Sequence, residues 1–177
     1  LLVLINSISI FSRWKKCKGI LNNKKKIFLL FISGILIFTN WSIWIYAVVT
    51  NRLVDASFGY YIFPILSVFF GYIFFREKLS KEKTISIILV AISILYLLIS
   101  FENIPWIGLT VAISWGTYNL VRKIVNVETD IGLFFETLFI TPIAIVLFYF
   151  IVQKGLNDFS FSNPKLMFWL FLAGPVT

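Results

Sequence analysis

The chain has 177 residues, 59% hydrophobic and only 14% charged, with mean hydropathy +0.93 and formal net charge +8. A surface so poor in polar groups is not one that water solvates, which excludes an ordinary soluble domain and points to an all-α, polytopic integral membrane protein. Cys17 is the sole cysteine and histidine is absent, excluding an intrachain disulfide, a Cys/His zinc site and any histidine-based triad or proton relay.

About twenty apolar residues at 1.5 Å rise cross a hydrocarbon core of about 30 Å. By that ruler Leu1 to Phe11 reads as the end of one helix, and Ser12 to Lys26 as a loop carrying Arg13, Lys15, Lys16, Lys18, Lys24, Lys25 and Lys26. The first complete helix is expected over Ile27 to Thr50 and the second over Ser57 to Phe75, with Arg52 between them. A loop with four bases, Arg76 to Lys83, leads to a third helix over Thr84 to Phe101, and Glu102 and Asn103 lead to a fourth over Ile104 to Val121. Arg122 to Asp130, with two bases, precedes a fifth over Ile131 to Val152. Leu166 to Thr177 reads as the start of another helix. Both ends are expected to be truncated, because the first residue is not Met and the last lies in an apolar run.

Thirteen of the sixteen Lys and Arg residues fall in alternate loops, which sets the orientation. Loops 12–26, 76–83 and 122–130 are assigned to the cytoplasm, in an inner (plasma) membrane. The basic charge therefore needs no nucleic acid partner, although loop 12–26 also suits anionic lipid head groups. Trp14, Trp106 and Trp169 sit near the expected interfaces, where amphipathic rings anchor helix ends.

Polar residues inside the apolar runs are the functional candidates. Glu136 lies five residues past Ile131, about 7 Å into its helix, where an acidic side chain needs a partner, a proton or water. An inner-leaflet cluster of Tyr118, Asn119, Arg122 and Glu136 is expected, either a carboxylate in a cavity or an ion pair fixing two helices. Asn40, followed by Trp41 and Trp44, falls near mid-membrane, where an amide bonds a neighbouring helix or lines a cavity. Pro64 is at comparable depth and frees a backbone carbonyl one turn earlier, as broken helices at transporter sites do, or else merely bends its helix. Pro142 is a second such position. Gly108, Ala112 and Gly116 form a smooth stripe for close helix packing, beside a face carrying Ser114 and Tyr118. There is no GxxxxGK[ST] motif, so energy from ATP on this chain is not expected.

In order along the chain stand Asn40-Trp41, Ala47-Val48, Asp55 through Pro64, Gly71, Glu77, Ser114, Tyr118, Leu120 to Lys123, Glu136-Thr137 and Pro142. With these the chain resembles RarD-type permeases, in the EamA branch of the drug/metabolite transporter superfamily. The resemblance implies a polytopic bundle of ten helices, two five-helix inverted repeats around a cavity, of which this chain is a fragment. Residues 1–101 would hold most of the first repeat and 104–177 the start of the second. Phe63 stands where the family usually has Asn, and Arg76 where it usually has Gly.

It also implies a secondary-active permease of small drug-like or metabolite solutes, of the chloramphenicol-sensitivity type, with no cofactor. The solute and the lipid bilayer are the expected partners. Asn40, Trp41, Tyr60, Pro64, Ser114 and Tyr118 would line the path, with Arg122 and Glu136 as a gate or coupling pair. The alternative is a non-transporting membrane scaffold or assembly subunit, in which the same residues bind helix to helix. A membrane enzyme is disfavoured by the lack of histidine, a cysteine pair or clustered carboxylates.

Overall fold

The computed structural model describes residues 4–5, 8–9, 13–100, 105–155, 164–165, 167–169 and 172. Its helices are α1 (Trp14–Leu21), α2 (Lys24–Val49), α3 (Leu53–Phe75), α4 (Lys81–Ser100), α5 (Trp106–Val125) and α6 (Thr129–Gln153), with no strand among the described residues. The chain divides into two compact units, residues 1–140 and 141–177. The Glu102 to Asn103 connection, the repeat junction at 101–104 and most of the two expected partial helices lie outside the described residues.

The five expected helices are all present, starting or ending two to four residues from the apolar runs. Polar flanks join them because helices continue past the hydrocarbon edge wherever caps permit. Asn23, for example, accepts a hydrogen bond from the Lys26 amide at 3.1 Å and so starts α2 three residues early. Three left-handed residues end or link helices: Asn51 (φ 57°), Arg76 (φ 52°) and Asn126 (φ 48°). Asparagine tolerates that region; arginine does so at a cost.

Four helices, α2, α3, α4 and α6, are long and apolar enough to cross a bilayer. The remaining expected span, α5, is 20 residues long but less apolar, carrying Thr110, Ser114, Thr117, Asn119, Arg122 and Lys123. Its position explains this: α5 packs along both α2 and α3, so its surroundings are largely protein rather than lipid. The close approach to α3 rests on facing glycines. A Cβ on Gly108 would strike the Asp55 carbonyl, and one on Gly59 would meet the Gly108 carbonyl at 2.5 Å. Of the expected smooth stripe on α5, Gly108 is thus a backbone-to-backbone contact, while Gly116 faces the side chains of Leu66 and Phe70. By contrast α4 packs mainly on α3 and leaves Ile85, Ile88, Leu89, Ile92, Leu95, Tyr96 and Ile99 exposed, an apolar surface suited to lipid.

The segment read as loop 12–26 contains α1. Cys17 and Ile20, one turn apart, are buried in an apolar cluster with Leu30, Val121, Val125, Ile131, Phe134 and Phe135. Burial pushes the Cys17 thiol above its ordinary pKa, and the Asp130 charge adds to the shift. Ion pairs hold α1 in place: Arg13 to Asp130 (2.7 Å) and Glu128 (3.0 Å), and Lys16 to Glu128. Lys123 pairs with Glu77 at 2.5 Å. The three base-rich loops thus meet at one end of the first unit. At its other end Arg52 pairs with Asp55 at 2.5 Å and lies over the Trp106 ring, beside a small core of Ala47, Ala56 and Ile107.

Candidate functional site

Glu136 is 1% exposed, although it is ionisable and sits in an apolar helix. Two helices, α2 and α5, converge on its carboxylate. From α2, Ser33 Oγ donates to Oε1 at 2.6 Å; from α5, the Tyr118 hydroxyl donates to Oε2 at 3.3 Å; and Arg122 Nη1, one turn after Tyr118, stands 3.6 Å from Oε1. Two small residues let the helices close in. Gly34 brings α2 against the backbone of Glu136, where an added Cβ would sit 3.4 Å from its carbonyl oxygen. Gly132, one turn before Glu136, leaves the space through which the guanidinium reaches inward, since a Cβ there would coincide with Arg122 Nη1. Charge is balanced one to one, but the geometry is loose. Arg122 Nη2 donates to the Thr129 carbonyl at 3.3 Å, while Nη1 is buried with no hydrogen-bond acceptor among the described residues. The two groups are within ion-pair range, but a buried donor is left unfilled beside the carboxylate.

A second polar layer lies on the same pair of helices. Asn40, seven residues and so about 10 Å along α2 from Ser33, donates from Nδ2 to the Val111 carbonyl (3.1 Å) and to Ser114 Oγ (3.0 Å). The Ser114 hydroxyl has the Thr110 carbonyl at 2.7 Å as its own acceptor. The amide therefore binds α2 to α5, and does not turn to the carbonyl freed by Pro64.

The family model of the EamA-like transporter family matches residues 1–99. This chain belongs to that family. It is 33% identical to a RarD protein of Salmonella typhi over 174 residues, covering 98% of this chain and 59% of that one. It is 34% identical to an uncharacterized transporter of Vibrio cholerae over 165 residues (93% of this chain, 55% of the other), and 34% to the uncharacterized transporter YojE of Bacillus subtilis over 164 (93% and 54%). A protein of Pseudomonas aeruginosa that is 25% identical over 142 residues (80% of this chain, 46% of the other) bears the name chloramphenicol-sensitive protein RarD. The EamA chain in hand spans little more than half the length of these curated relatives. No solved structure matches it.

Among the candidate residues of this EamA chain, the structure gathers Tyr118, Arg122 and Glu136 into one cluster and Asn40 with Ser114 into the other. Asn119 does not join the first; it turns back to the Trp115 carbonyl at 2.7 Å. Trp41, Tyr60 and Pro64 stand apart on exposed faces. Trp41 and Tyr60 are about half exposed (51% and 49%), with Tyr60 edge-on to Trp44, and Pro64 lines a groove of about 440 Å³ between α3 and α4 together with Ser67, Glu77 and Lys83. Two residues central to the cluster, Ser33 and Gly132, were not among the expected ones. Their signals were faint: a Ser-Gly pair inside an apolar run, and a glycine one turn before the buried acid.

Proposed function

We propose that this chain forms part of a secondary-active permease of the inner (plasma) membrane, moving small drug-like or metabolite solutes by alternating access. Loops 12–26, 76–83 and 122–130 face the cytoplasm. Residues 1–101 supply most of one five-helix repeat and 104–177 the beginning of its inverted partner. Asn40, Trp41, Tyr60, Pro64, Ser114 and Tyr118 border the solute path, and Arg122 with Glu136 forms the gate or coupling pair.

The observation that carries this reading is the buried Glu136 with its loosely held cation. An acidic side chain within a spanning helix is costly, up to about 3 kcal/mol at the helix centre on insertion scales, so its presence here asks for a role. A carboxylate on α6 that α2 and α5 both approach, and that no donor but Ser33 grips tightly, is placed so that separation of α5 from α6 changes its partners. Alternating access requires such a two-state contact. The Asn40 layer contributes differently: its bonds are short and closed, so it holds α2 on α5 as a unit while α6 moves.

The test is solute flux through the full-length gene product in proteoliposomes, with chloramphenicol as the first probe and a panel of small amphipathic solutes after it. Flux above protein-free vesicles for at least one solute is expected. Folded protein that passes none of them, with or without an imposed ion gradient, would favour the scaffold reading.

A further inference from the structure

We infer that the base-rich end of the bundle carries a docking site for an anionic phospholipid, its head group held by Lys15, Lys18 and Lys24 and one acyl chain laid along Phe28, Phe31 and Phe139. Orienting a loop in a membrane requires positive charge but no fixed placement of it. Here the placement is fixed. Arg13 and Lys16 are used up on Glu128 and Asp130, which pin α1 with Cys17 and Ile20 facing inward. Lys15, Lys18 and Lys24 remain exposed, in no ion pair among the described residues, and residues 13–26 include no acid to neutralise them.

What lies beside Lys24 selects the occupant. Lys24, Ile27, Phe28, Phe31 and Phe139 line an almost wholly apolar groove of about 420 Å³. Lys24, Phe28 and Phe31 follow one another at i, i+4 and i+7 on one face of α2, so the groove runs about 10 Å down the helix from a cation at its mouth. Phe28 is 61% exposed, and Phe31 meets Phe139 edge-on at 5.7 Å to form the floor. On α1 the exposed Trp14 and Leu21 flank Lys18 on a shared face, as in helices that lie at the head-group level of a bilayer. A negative head joined to a hydrocarbon chain is the chemistry that fits a lysine above an apolar trough in a membrane protein.

The experiment is native mass spectrometry of the full-length protein in neutral detergent, titrated with dioleoyl phosphatidylglycerol or dioleoyl phosphatidylcholine. Retention of the anionic lipid should exceed that of the zwitterionic one by at least about tenfold, and Lys15→Gln/Lys18→Gln/Lys24→Gln should abolish the preference. The matching triple Lys→Arg variant should keep it, which separates charge from damage to folding or orientation. Phe28→Ala should weaken retention of the lipid, and soluble glycerophosphoglycerol should fail to displace it, because the chain contributes. Equal retention of the two lipids by the wild type, a Gln variant that keeps the preference, or displacement by the soluble head group would each overturn the proposal.

Discussion

Replacing Gly132 by alanine should harm this protein although alanine is the better helix former. An alanine Cβ would coincide with Arg122 Nη1 and lie 2.7 Å from Nη2. Arginine is long and its far end can swing away, so the steric conflict is relieved at once; what is lost is the cation beside Glu136. Stranding one member of a buried ion pair costs about 3–5 kcal/mol. The gain from Gly to Ala in a helix interior is about 1 kcal/mol. The net expectation is a loss of about 2–4 kcal/mol, read by unfolding the full-length protein in mixed micelles. Glu136→Gln supplies the control: in that background the stranded charge is gone, so Gly132→Ala should become neutral or stabilising by about 1 kcal/mol. If Gly132→Ala stabilises the wild type as much as it stabilises the Gln variant, Arg122 contributes nothing to holding Glu136, and the site as described is wrong.

Other predictions follow from the same geometry. Asn40→Ala should cost about 0.6–2 kcal/mol by loss of its α5 bonds, and Ser114→Ala should add little in that background, which a double-mutant cycle on the same unfolding assay checks. Arg76→Gly should stabilise by about 1 kcal/mol, since glycine adopts φ 52° without the Cβ conflict; equal or lower stability would show that the turn is not strained. Lys123 donates to Glu77 and holds its carboxyl below the usual carboxylate range. A depressed folded pKa means that the pair's contribution is present above the unfolded value of about 4.3 and is lost as pH falls through the folded one. Wild type and Glu77→Gln should therefore differ in stability at neutral pH and converge in acid, and a difference that grows on acidification would reverse the assignment.

Much of this fold was legible because one physical rule, apolar length against hydrocarbon thickness, governs each spanning helix separately. Where the environment departs from lipid the rule weakens. α5 is less apolar because α2 and α3 wrap it, and α1 is hidden because eight polar-rich residues bury only Cys17 and Ile20. The pairing of Arg122 with Glu136 could be anticipated from depth, since the charge partition places both near one membrane face. The partners of Asn40 could not, because depth says nothing about which way a helix is turned. Ser33 was silent for a related reason: a serine within reach of its own Leu30 carbonyl at 2.9 Å looks self-satisfied in sequence, and only the rotation of α2 aims it at Glu136. Gly132 reads as packing until Arg122 is seen to pass over it.

The most direct test of the central claim is the rate of solute flux through full-length protein carrying Glu136→Gln, at matched amounts of folded protein and with a solute that the wild type moves. If Glu136 and Arg122 form the contact that changes between the two access states, flux should fall at least about tenfold, equivalent to about 1.4 kcal/mol on the limiting barrier. Stability should fall as well, because Gln leaves the Arg122 cation unpaired, which is why flux is compared at matched amounts of folded protein. Flux at the wild-type rate would contradict the account and leave the buried carboxylate as a structural tie between α5 and α6.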